Sequence, residues 1–133
     1  MIESNYRYIN LELLRENTFD DASIMMEIME LFLEIIDEYA EALTSQVPAK
    51  KWESLFQATH KIKPNINMFG VSKLKSNILQ LESNFKNEQN LETTVLLVSD
   101  CLTILKEVKR EIQTELRAID NNISNTNQVS ISS

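Results

Sequence analysis

With a single glycine, two prolines and a single cysteine in 133 residues, the chain lacks the turn vocabulary of several fold classes. Sandwiches, barrels and dinucleotide-binding domains reverse direction many times and rely on glycine and proline to do so; an all-α fold is predicted instead. A lone Cys101 supplies neither a disulfide framework nor a cysteine-based metal site, which predicts a reducing, cytoplasmic setting. No apolar run approaches the ~18 residues of a membrane span, and no signal peptide precedes the first apolar cluster. Positive charge is scarce too. Against 20 acidic side chains stand 13 basic ones, a net charge of −7, which repels nucleic acid and anionic membrane surfaces alike. Other proteins remain as the expected partners. The hydrophobic content of 43% suffices for one core, and a chain of this size can bury roughly two-thirds of its unfolded surface.

What is present is helical periodicity. Ile9, Leu11, Leu13 and Leu14 fit a short first helix ending near Glu16, and Asp20 or Asp21 can cap the next. From Ala22 to about Leu43, the residues Met25, Met29, Phe32, Ile36, Tyr39 and Leu43 fall at alternating steps of four and three, which is one helical face. Met26, Ile28, Leu31 and Ile35 broaden that face and predict a well-buried helix. Pro48 suits the first turn of a third helix, which carries Trp52, Leu55, Phe56, Ile62, Ile66 and Phe69 and stops at Gly70, a candidate left-handed cap. A fourth helix follows through Val71, Leu74, Ile78, Leu81 and Phe85, and Asn87–Asn90 makes the next turn. A long fifth helix sets Leu91, Val95, Val98, Leu102, Leu105, Ile112, Leu116 and Ile119 on a coiled-coil-like seam. Residues 1–119 read as one domain and 120–133 as a polar, flexible tail. Four main helices on short connections predict an antiparallel up-down-up-down four-helix bundle with a short extra N-terminal helix.

Enzyme constellations are missing. There is no glycine-rich phosphate loop. With one histidine in the chain, paired Glu-x-x-His motifs, zinc sites and catalytic triads all fail. Cys101 sits beside the seam residue Leu102 and reads as a small semi-buried side chain. His60 is left. A helical wheel puts it off the apolar stripe, with Glu53, Gln57, Lys63, Pro64 and Asn67 as same-face neighbours, so the imidazole is expected to reach water. A single histidine on a helix is usually a plain surface residue, but here Lys63 supplies a cation without a matched acid on that face. Gln57 and Asn67 add hydrogen-bond donors, and together they suit an anion on the imidazole. Pro64 lies inside the helical pattern and removes the N–H that would bond the carbonyl of His60, which predicts a bend.

The segment Ala58-Thr59-His60-Lys61-Ile62-Lys63-Pro64-Asn65-Ile66-Asn67-Met68-Phe69-Gly70 resembles the signature of histidine-containing phosphotransfer (HPt) domains. That pattern has an accepting histidine, an apolar residue two on, a lysine three on, a small residue four on, and an apolar-glycine pair closing the helix. His60, Ile62, Lys63 and Phe69–Gly70 occupy the matching places. Pro64 departs from it, glycine being the usual occupant. The resemblance extends from about Ile9 to Leu116 and includes the Met29–Glu34 run.

The resemblance implies a phosphocarrier without autokinase activity. The neutral imidazole of His60 would take a phosphoryl group from a receiver-domain phospho-aspartate and pass it to another receiver aspartate. Partners would be receiver domains of response regulators and of a hybrid histidine kinase. The chain would bind no cofactor and no metal of its own, Mg²⁺ coming with the receiver. Lys63, with Gln57 and Asn67, would steady the phosphoryl charge, and Pro64, Lys61 and Glu53 would form the docking surface. Met1 and the polar end favour a free-standing protein over a piece of a larger hybrid kinase, and a cytoplasmic monomer is expected. The competing class is a phosphate-independent helical adaptor that docks a receiver or another signalling protein; a ligand-binding bundle would want a polar cavity that these seams do not show.

Overall fold

Helix order in the computed structural model follows the apolar periodicity closely: α1 (Glu12–Asn17), α2 (Ala22–Gln46), α3 (Trp52–Met68), α4 (Ser72–Asn87) and α5 (Leu91–Ser132). It describes residues 6–132, with the side chains of 124–132 excepted, and among the described residues there is no strand. Residues 1–5 and 133, parts of the expected domain and tail, lie outside the described residues. The long helices pack in a ring, α2 and α4 each lying against both α3 and α5.

Asp21 caps α2 by accepting from the Ile24 N–H at 3.1 Å, satisfying one of the donors a helix start leaves open. The predicted α2 face is buried at Met25, Met29, Phe32, Ile36, Tyr39 and Leu43. Phe32 stacks on Phe69 with ring centroids 4.4 Å apart, and Trp52 stacks on Phe85 at 6.1 Å. These pairs tie α3 to α2 and to α4 through aromatic area.

Gly70 ends α3 at φ +60, as the sequence predicts. The reason is steric as well as conformational. The Asn10 N–H donates to the Phe69 carbonyl at 2.8 Å, and a Cβ on Gly70 would lie 2.7 Å from the Asn10 Cβ, so no side chain fits. The segment before α1 is a strap held at its other end by α5. The backbone N–H groups of Arg7, Tyr8 and Ile9 donate to the Glu111 carboxylate at 2.9, 3.0 and 3.1 Å, and Tyr6 donates its hydroxyl to Glu115 at 2.7 Å.

Three expectations are corrected. Pro48 lies in the turn between α2 and α3, outside both helices, because α3 starts only at Trp52. Leu31 is 55% exposed; the ring of neighbours covers one side of α2 and leaves that residue outside it. Leu91 and Val95 are also exposed. The buried line of α5 runs through Thr94, Cys101, Leu105, Val108 and Ile112; it shares Leu105 and Ile112 with the predicted seam but takes Thr94 and Cys101, each one residue earlier, in place of Val95 and Leu102. It enters through small or polar residues that a hydropathy pattern does not mark, and burial pushes the Cys101 thiol up to about 12. Helical backbone also continues through 120–132; no glycine or proline follows Gly70 to stop it.

Candidate functional site

The rotation of α3 about its axis is fixed from the inside. Thr59 is fully buried; its hydroxyl donates to the Leu55 carbonyl at 2.8 Å and shares a hydrogen bond of 2.9 Å with the Tyr39 hydroxyl. Burial, with help from nearby negative charge, holds the Tyr39 phenol well above its ordinary range despite the bond from Thr59, so it stays a neutral anchor. One residue on, a helix turns by about 100°. His60 therefore faces out, with its side chain 66% exposed.

The imidazole does not stand alone. Its Nδ1 lies 3.0 Å from Glu82 Oε2, and the Lys63 ammonium donates to Glu82 Oε1 at 2.9 Å. Glu82 comes from α4, three residues before the buried Phe85, and keeps only 16% of its side-chain surface open. Partial burial works to raise its pKa, but the hydrogen bonds from Lys63 and His60 and their charges outweigh this and hold the carboxyl below its ordinary value of 4.5. Glu82 is thus a carboxylate at neutral pH and can only accept. In the neutral imidazole the hydrogen shared with Glu82 sits on Nδ1, and the lone pair is then on Nε2. Among the described residues nothing hydrogen-bonds Nε2. The arrangement offers a nucleophilic nitrogen in the solvent, on a ring whose tautomer and orientation are held from behind.

The sequence-predicted residues fall into place unequally. Lys63 is adjacent but not without an acid; Glu82 is that acid, and it lies on another helix. Gln57 donates its amide to Glu53 at 2.9 Å, so those two engage each other. Lys61 donates to Glu38 of α2 at 3.3 Å. Pro64 is exposed, and α3 remains one helix across it. Asn67 lines a cleft of about 280 Å³ between α3 and α4, with Lys63, Ile66, Lys75, Ile78 and Leu79.

Two neighbours of His60 were not foreseen. Phe56 stacks on the imidazole with centroids 6.1 Å apart and planes 26° from parallel, a large apolar neighbour beside the five same-face residues the sequence named. A four-residue spacing on one helix carries that signal plainly. Glu82 is 22 residues from His60 and no local spacing reveals it, although it is the one acid of α4. Among the described residues no group of His, Cys, Asp and Glu could hold a metal ion, and no helix is long and apolar enough to cross a membrane.

A family model described as Hpt domain matches residues 27–125, well over half of the chain and inclusive of His60, Lys63 and Glu82. No curated protein and no solved structure matches the chain.

Proposed function

The chain belongs to the Hpt domain family, whose members are phosphocarriers of phosphorelay signalling that meet receiver domains; on that footing we propose that His60 accepts a phosphoryl group from a receiver phospho-aspartate and yields it to another receiver aspartate. The supporting observation is the His60–Glu82 hydrogen bond, which engages Nδ1 and, in the neutral ring, puts the lone pair on Nε2 of a side chain that is 66% exposed. In the step, the Nε2 lone pair attacks phosphorus and the bond from phosphorus to the aspartyl oxygen breaks. Its electron pair leaves on the carboxylate, and the Nδ1 hydrogen stays on the ring. Positive charge that develops on the imidazole meets the Glu82 carboxylate, a contact stronger in the transition state than before it. The remaining requirement is positioning and neutralising phosphoryl charge, which phosphoryl transfer chiefly demands. Mg²⁺ for that purpose comes with the receiver in this reading, and the chain has no autokinase activity.

Lys63 acts at one remove. In the resting chain its ammonium is engaged by Glu82, so it steadies the phosphoryl group only by exchanging that partner, with Gln57 and Asn67 as neutral donors nearby. The same reading takes the four long helices as an antiparallel bundle working as a cytoplasmic monomer.

The test is labelling. A phosphorylated receiver domain should transfer its label to the chain as an acid-labile, base-stable adduct, and His60→Gln should fold but take up none. ATP and Mg²⁺ without a kinase should leave the chain unlabelled. Equal labelling of the His60→Gln variant would sink the assignment, and a receiver that binds without transferring would favour an adaptor.

A further inference from the structure

His60 is flanked by α2 on one side of α3 and by α4 on the other, and the two flanks carry opposite charge. The solvent face of α2 displays Glu27, Glu30, Glu34, Asp37, Glu38 and Glu41, all exposed; Asp37 and Glu38 pair with Lys109 and Lys61, the other four make no ion pair among the described residues, and no lysine or arginine occurs in that helix. On α4 the balance reverses: Lys73, Lys75 and Lys86 stand against Glu82 alone, and Glu82 is already engaged by Lys63 and His60. In a chain of net charge −7 this is a local inversion. It coincides with the cleft of about 280 Å³ between α3 and α4, which is lined by Lys63, the partner of Glu82. The cleft's floor is apolar, with Ile66 at 3% and Ile78 at 1% exposure, and its rim carries Leu79, 55% exposed. Lys63 and Lys75 bracket it, and Lys75 makes no ion pair among the described residues.

A surface that delivers an acyl phosphate is anionic by its chemistry: it brings the phosphoryl oxygens and the carboxylates that hold Mg²⁺. Such a surface is repelled along α2 and drawn along α4. We propose that the receiver domain reaches His60 over the α3–α4 cleft, seating an apolar side chain on Ile66 and Ile78 beside Leu79 while its acidic rim faces Lys63 and Lys75. Lys75 and Leu79 then set partner specificity without touching the reacting atoms. This rests on the phosphocarrier reading and adds to it the direction of approach.

The experiment uses the full chain and the receiver domain that labels it fastest among a panel charged with acetyl phosphate. Binding of the same receiver, activated with beryllofluoride and Mg²⁺, is measured in parallel by fluorescence anisotropy. Lys75→Glu should weaken binding and slow labelling about tenfold at low salt, with the gap narrowing as salt rises, because an exposed interfacial charge acts mainly on encounter. Leu79→Ser and the milder Lys75→Ala should weaken both by several-fold. Glu34→Lys on the opposite flank should leave both unchanged or improve them, and His60→Gln should bind but accept no label. Circular dichroism checks that each variant is folded. If the α4 variants match the parent, with or without a loss in Glu34→Lys or Leu31→Ser, the docking proposal fails and the phosphocarrier reading stands. If no receiver labels the parent, both fail.

Discussion

Thr59 and His60 share a peptide bond, yet their side chains enter polar clusters of different construction. Inward, Thr59, Tyr39 and the Leu55 carbonyl form a closed set in which each hydroxyl finds its partner inside the core. Outward, His60, Lys63 and Glu82 form an open set that satisfies one ring nitrogen and leaves the other to solvent. The closed set belongs to stability, since a buried hydroxyl without a partner is costly. The open set belongs to chemistry, since the unsatisfied acceptor is where a phosphoryl group can arrive. Both use the same helix, and the first aims the second.

Substitutions should separate the two clusters. The largest effect is expected from His60→Gln, which should abolish phosphoryl uptake while leaving the melting temperature near the parental value; a residual adduct stable to base would show that another residue accepts. Thr59→Val keeps the shape but orphans the Tyr39 hydroxyl. It should cost about 1–3 kcal/mol in denaturant-measured stability and leave the labelling rate of the folded protein intact. A slowed rate at full folding would instead show that the inner cluster tunes the outer one. Glu82→Ala removes the acceptor from Nδ1 and should slow labelling about tenfold, the scale of one charge-assisted hydrogen bond. Lys63→Ala should slow it only several-fold. In the Glu82→Ala background the same change should do less if Lys63 acts through Glu82, and as much as before if it acts directly on the phosphoryl group.

The smallest expected effect is on acid stability. Because the folded protein holds the Glu82 carboxyl below its ordinary value of 4.5, the contacts from Lys63 and His60 add stability that is complete above that pH. It is lost as the pH falls through the lower folded value, where Glu82 takes up a proton. Glu82→Gln should flatten that part of the stability profile; an unchanged slope below pH 4.5 would show that the pairing does not outweigh desolvation.

Much of the fold was legible because α2 buries one apolar face and α4 a face that is apolar except for Asn77 and Asn84, and a period of 3.6 is visible without tertiary knowledge. Gly70 was legible for a related reason: the lone glycine after an apolar periodic run has few other uses. The line of α5 was harder, since Thr94 and Cys101 lie at the core while Leu91 and Val95 do not; polarity there is overruled by how neighbouring helices sit. At the site, His60 and Lys63 could be read from local spacing. Phe56 could have been, at four residues' distance on the same helix. Glu82 could not, because its place beside His60 depends on how α4 packs against α3, and side chains brought together across helices leave no periodic trace.

The strap before α1 has a consequence for the order in which the molecule is completed. Its backbone N–H groups find their acceptor in Glu111, 102 to 104 residues later, and Tyr6 finds Glu115, 109 residues later. Contacts that close so long a loop bear its entropy before they return any enthalpy. The first described residues are thus among the last to be secured. Through the Asn10 N–H on the Phe69 carbonyl, the end of the His60 helix is fastened by a segment that cannot lock until Glu111 has been made.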